Sequence, residues 1–145
     1  LMTADADIKI YYANLGGFDT HVGQKNKQAR LLKTYSDGMS AFVKDLKSNG
    51  LLDDTLMMTF SEFGRRVQQN ASGGTDHGTA NNVFLMGGNL KKKGLYNSAP
   101  DLKKLDKGDL IYQMDFRKIY ATILEDWLDA SPMKILGKRF EKIII

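Results

Sequence analysis

Two histidines are present in the 145-residue chain, and each stands in a glycine-framed, acid-flanked segment. One reads Gly16-Gly17-Phe18-Asp19-Thr20-His21, the other Gly73-Gly74-Thr75-Asp76-His77-Gly78. Residues i and i+2 of an extended segment point to the same side, so Asp19 and His21 can reach one ion. His77 offers a third ligand from the second segment. Three protein ligands with a position left open for water form the pattern of a catalytic zinc-type centre, in which the ion lowers the pKa of water and polarises a phosphoryl or sulfuryl oxygen. The competing reading is plainer: a Gly-Gly-Phe-Asp-Thr turn that a histidine happens to follow.

Between the two histidines, the apolar run at residues 55–60 leads into Ser61-Glu62-Phe63-Gly64-Arg65-Arg66. A carboxylate closing an apolar strand is costly unless paired. Glu62 is therefore read as a metal ligand, an acid or base group, or an ion-pair partner of Arg65 or Arg66. Either arginine has the planar fork that clamps an anion, and one of the two is expected to be an ordinary surface residue. Ser61 and Thr75 are the hydroxyls within reach as nucleophiles, without a motif for that role. Asp115-Phe116-Arg117 opens a helix, where an N-cap role accounts for Asp115.

The elements that must position these groups follow from periodicity. Residues 8–14 are β-rich and run into Leu15-Gly16-Gly17, which predicts a strand and a loop. Over residues 24–49, Leu31, Leu32, Tyr35, Met39, Phe42, Val43 and Leu46 recur at helical spacing, with Gly50 as the cap. Residues 55–60 and 82–88 read as buried strands, 61–81 as a loop and 89–114 as loop and turn. A second helix opens at Asp115, with Phe116, Ile119, Tyr120, Ile123, Leu124, Trp127 and Leu128 on one face and Pro132 as its stop. Residues 133–145 are apolar and basic and stay unassigned. The order strand, helix, strand, strand, helix predicts a single α/β domain over 1–145, a largely parallel sheet covered by helices, with the motif loops at the carboxyl edge of the strands.

Composition sets the class of protein. With 42% apolar and 26% charged residues the chain is a globular sequence, and no cysteine is present to form a disulfide or a thiolate ligand. No run approaches the ~18 apolar residues of a membrane span, and no signal segment opens the chain. The formal charge of +4 comes from scattered lysines rather than from an aromatic-interleaved stripe. The surface is read as solvated, with neither a nucleic-acid nor a membrane partner, and as suited to an anionic substrate. A start at Leu1 points to a mature form or a fragment.

Four ordered motifs carry a resemblance: Gly-Gly-Phe-Asp-Thr-His at 16–21, Ser-Glu-Phe-Gly-Arg at 61–65, Gly-Thr-Asp-His-Gly-Thr-Ala at 74–80 and Asp-Phe-Arg-Lys-Ile-Tyr-Ala-Thr at 115–122. Over about residues 8–130 the chain resembles the C-terminal part of the bacterial domain-of-unknown-function family 1501, whose longer members are often exported. That family is similar to the alkaline phosphatase and sulfatase superfamily. The resemblance implies an alkaline-phosphatase-like α/β fold of which this chain is an incomplete, C-terminal portion, and a periplasmic or exported location. It implies hydrolysis of a small phosphate or sulfate ester with a divalent metal, zinc foremost. Asp19, His21 and His77 resemble the ligands of one metal. Glu62 takes the place of an acid contributing to a second, and Arg65 would steady the anionic substrate. Phe63 stands where the superfamily has a ligand histidine, and a literal match puts Thr75-Asp76-His77-Gly78 on the same motif. The nucleophile and another metal-binding Asp belong to the N-terminal half, so an isolated chain is expected to be inactive and to need that half or self-association. The alternative is a non-catalytic, degenerate domain that binds an anion or a protein partner.

Overall fold

In a computed structural model, which describes residues 2–4 and 7–145, the longest element is helix α1 (Gln24–Ser48). Its inward seam is Gln24, Gln28, Leu31, Tyr35, Met39, Val43 and Leu46, spaced by three or four residues and half-buried or buried throughout. Leu32 and Phe42 share the apolar spacing but flank the seam and stay exposed. The helix ends in a Schellman arrangement: Gly50 adopts φ 68°, its N–H donates to Lys47 O at 3.1 Å, and the Leu51 N–H donates to Leu46 O at 2.8 Å. Only glycine takes that left-handed turn without steric cost.

The chain then makes one long, interrupted β-ribbon. Strand β1 (Leu56–Thr59) pairs with β4 (Phe84–Gly87), Leu56 opposite Gly87 and Thr59 opposite Phe84. Between them β2 (Gly64–Gln69) pairs with β3 (Thr75–Gly78), Gly64 opposite Gly78 and Arg65 opposite His77. The chain thus runs out along β1 and β2, turns at residues 70–74, and returns along β3 and β4. At the interruption the Asn81 amide donates to Ser61 O at 2.7 Å. Tyr35 of α1 meets Thr59 of β1, hydroxyl to hydroxyl, at 2.9 Å. A short hairpin, β5 (Leu105–Asp106) with β6 (Asp109–Leu110), turns through Lys107 and Gly108, both at positive φ. Arg66 secures it, Nε donating to Asp109 at 3.1 Å and Nη2 to Lys107 O at 3.0 Å.

These strands overturn the expected architecture. Among the described residues every strand pairing is antiparallel and every sheet has two strands, so there is no largely parallel sheet and no alkaline-phosphatase-like α/β fold. The parallel reading needed residues 8–14 as a strand beside β1. That segment has no regular secondary structure and joins no ladder, and Ile10 and Tyr12 are 68% and 78% exposed. β-rich composition describes a surface that fits a pleated sheet; a strand also needs a partner. Residues 61–81 form β2 and β3 where a loop was expected. β1 is half-buried rather than fully buried, and Phe84 of β4 is exposed.

Residues 2–4, 7–89 and 101–111 make up one compact unit; Leu90–Pro100 and Tyr112–Ile145 make up a second. In the second, α2 (Phe116–Asp126) starts at Asp115, whose carboxylate accepts the Arg117 N–H at 2.9 Å, as an N-cap does. Ile119, Ala121 and Thr122 are buried, while Phe116 of the expected apolar face is exposed. Pro132 does not merely follow α2: it is the first residue of α3 (Pro132–Leu136), where its missing N–H costs nothing. The tail returns to α2, the Ile143 N–H donating to the buried Thr122 Oγ1 at 3.0 Å.

Candidate metal centre

Backbone geometry brings the two histidine segments together. Asn70 shapes the turn between β2 and β3, its side-chain oxygen accepting the N–H groups of Ser72 and Gly74, each at 3.0 Å. The segment ahead of α1 crosses that turn: Val22 bridges to Gly73, and the Gly23 and Gln24 N–H groups donate to Ser72 O and Gly73 O at 3.0 and 2.9 Å. The crossing is so close that a Cβ on Gly74 would collide with the His21 backbone. Thr20 is buried at 1% exposure, which turns its neighbours Asp19 and His21 to the open side together.

The result is a triangle of ligand atoms. Asp19 Oδ1 lies 2.8 Å from His77 Nε2 and 2.9 Å from His21 Nε2, and the two Nε2 atoms are 3.2 Å apart. Among the described residues these three side chains form the one group of acids and histidines whose ligand atoms all lie within 4.8 Å of one another. Protons can pair these atoms, both Nε2–H groups donating to the one Asp19 oxygen, but that arrangement sets the two N–H groups side by side at 3.2 Å. One cation facing all three atoms satisfies every edge. Donors held at about 2.0–2.1 Å stand ~3.3 Å apart around a tetrahedral ion and ~2.9 Å around an octahedral one. The observed edges match a common ion. All three side chains are 44–62% exposed, which leaves the triangle open to solvent.

The groups around the triangle hold it in place. Phe63 stacks on the His77 ring, centroids 3.7 Å apart and planes 8° from parallel. Asp76 Oδ1 lies 3.4 Å from His21 Nδ1 and 3.3 Å from the Asn70 amide. The Asn70 amide also donates to His21 O at 3.1 Å. Arg65 ties the site's two sides, donating to Phe18 O and to Thr75 O, with Nη2 3.7 Å from Asp19 Oδ1. Hydrogen bonding from His77 holds the Asp19 carboxyl below the usual carboxylate range against an opposing cost of desolvation, with the charges of His21, His77 and Arg65 adding smaller contributions. The Asn70 amide, then His21, does the same for Asp76.

Asp19, His21 and His77 are brought together; Glu62 is not. It lies exposed in the bend before β2, outside the ligand group. The guanidinium of Arg65 is engaged by two backbone carbonyls, and Arg66 faces the β5–β6 hairpin. Ser61 Oγ donates to Phe63 O at 2.8 Å and Thr75 Oγ1 to Gln24 at 3.1 Å. Asp115 and Arg117 belong to the second unit, where they pair with each other. Asn70 and the stacked Phe63 were not foreseen as positioning groups. The signal available for the former was an Asn three residues before a Gly-Gly pair, which is turn chemistry.

No curated protein and no solved structure matches the chain. A family model described as "Protein of unknown function (DUF1501)" matches residues 1–128, which takes in Asp19, His21 and His77, the β-ribbon and α2. The chain therefore belongs to the DUF1501 family.

Proposed function

We propose that the chain carries the divalent-metal centre of a hydrolase acting on phosphate or sulfate esters. The observation that carries this reading is the Asp19–His21–His77 triangle, whose edges of 2.8, 2.9 and 3.2 Å suit three donor atoms facing one ion. A divalent ion bound there, zinc foremost, lowers the pKa of water and stabilises charge developing on a phosphoryl or sulfuryl oxygen. Two neutral imidazoles and one carboxylate leave such a site with net positive charge, which suits an anionic ester. Arg65 braces the two segments that carry Asp19 and His77 through Phe18 O and Thr75 O, and the exposure of the three ligands gives a substrate access. The choice of ester class rests on the motif resemblance and on the positive charge of the chain.

The test is hydrolysis of 4-nitrophenyl phosphate and 4-nitrophenyl sulfate, with Zn²⁺ or Mn²⁺, by the chain joined to the N-terminal half that the resemblance implies. The expected result is turnover of one ester that chelator abolishes and that His77→Ala lacks. Metal-loaded protein that turns over neither ester faster than His77→Ala would remove the hydrolase and leave the metal centre. A second reading, a non-catalytic domain that binds a protein partner, draws support from segment 8–14. Its β-rich side chains are exposed and its backbone joins no ladder, a combination that suits strand addition by a partner.

A further inference from the structure

We infer that Asp76 is the positioning residue of this centre: it fixes the tautomer and ring orientation of His21 by accepting its Nδ1–H, so that the Nε2 lone pair faces the ion. The inference rests on the metal reading above. Neighbours on a strand point to opposite faces, so Asp76 and His77 of β3 diverge. His21 reaches both because its segment crosses the chain beside β3 at Gly74, where no side chain keeps it away. Its Nε2 lies with His77 and Asp19, while its Nδ1 lies 3.4 Å from Asp76 Oδ1. The two nitrogens sit on different sides of the imidazole ring. Asp76 thus stands behind the ligand, outside the group of atoms that converge on the ion.

Asp76 is itself held. The Asn70 side-chain amide donates to its Oδ1 at 3.3 Å and to His21 O at 3.1 Å, so a single amide sets both the carboxylate and the backbone of the ligand it serves. A carboxylate behind a ligand histidine selects the tautomer and raises the basicity of the coordinating nitrogen. The partner of His77 is of another kind, the flat stack of Phe63. Stacking restricts the tilt of a ring but not its protonation. The two histidines are therefore expected to respond differently to changes behind them.

The experiment is Zn²⁺ titration of the full chain against a chromogenic chelator, for wild type, Asp76→Ala and Asp76→Asn, with proton–nitrogen NMR of the imidazole Nδ1–H groups in the Zn²⁺-loaded proteins. The expected result is a loss of about 10–100-fold in affinity for Asp76→Ala. Most of that loss should be recovered in Asp76→Asn, whose side-chain oxygen still accepts the N–H. A slowly exchanging His21 Nδ1–H signal should be present in wild type and Asp76→Asn and absent in Asp76→Ala. Unchanged affinity in Asp76→Ala, or equal losses in both variants, would overturn the inference and leave the metal centre intact. Should Asp76→Ala fail to fold, a missing His21 Nδ1–H signal in folded, Zn²⁺-loaded wild type overturns it as well. Absence of Zn²⁺ binding by wild type would sink the metal centre itself, and the role of Asp76 with it.

Discussion

Two of the places where this chain joins acids to basic groups are solved in opposite ways. At the start of α2, Asp115 meets Arg117 two residues along: its carboxylate takes the Arg117 N–H at 2.9 Å and the guanidinium at 2.6 to 3.1 Å. Every group has a partner and the contact is local, which describes a helix cap reinforced by an ion pair. At the ribbon, Asp19, His21 and His77 come from segments separated by up to 58 residues. They converge on one point, with the two Nε2 atoms 3.2 Å apart and both facing the same Asp19 oxygen. The comparison teaches how to tell a structural charge cluster from a ligand site. The local pair is complete by itself; the triangle, on the proposed reading, is completed by an ion.

The sharpest way to break that contrast is at the ligands. His77→Ala is expected to abolish stoichiometric divalent-metal binding while leaving the far-ultraviolet circular dichroism unchanged, because the side chain is 45% exposed and carries little of the core. Retained binding would mean the triangle is only a hydrogen-bonded cluster. Next comes the crossing itself. Gly74→Ala places a methyl group against the His21 backbone, and a loss of about 2–4 kcal/mol in denaturant unfolding is expected, together with the metal site. A variant as stable as wild type would mean the crossing is looser than drawn.

At the cap the effects are smaller. Asp115→Ala is expected to cost about 1 kcal/mol in denaturant unfolding, as lost N-caps do, and to leave metal binding untouched. Loss of metal there would erase the distinction between the two places. The cap also has a pH signature. The Arg117 side chain, then its N–H, holds the Asp115 carboxyl down to about 2 from the ordinary 3.8. A carboxyl with a depressed folded value stabilises the fold fully above its unfolded value and loses that stabilisation as pH falls through the folded one. The difference in melting temperature between wild type and Asp115→Asn should therefore stay constant above about pH 4 and shrink towards pH 2. A difference that does not change over that range would contradict the pairing.

Local features were the legible ones. The periodicity of α1, its Gly50 terminus and the Asp115 cap are set by neighbours in sequence, and the helices lie where that periodicity places them. The pairing of strands was not legible. Gly64–Gln69 is Gly-Arg-Arg-Val-Gln-Gln, without apolar alternation; it becomes a strand because the Asn70 turn brings Thr75–Gly78 back beside it. Residues 8–14 have the composition and lack the partner. The antiparallel direction of β1 and β4 follows from that nested turn, whereas the parallel expectation followed from a strand that does not form. The candidate ligands were readable as residue types because histidine is rare here and both copies sit beside acids. Their common point depends on Gly74 and Asn70, whose roles emerge only once the segments cross.

The most direct test of the metal centre is metal content by elemental mass spectrometry, on protein purified without chelator, with His21→Ala and His77→Ala measured alongside. One divalent ion per chain in wild type, lost in both variants while folding is kept, is the expected result. Metal-free wild type that stays metal-free after incubation with Zn²⁺, or metal retained by both variants, would contradict it.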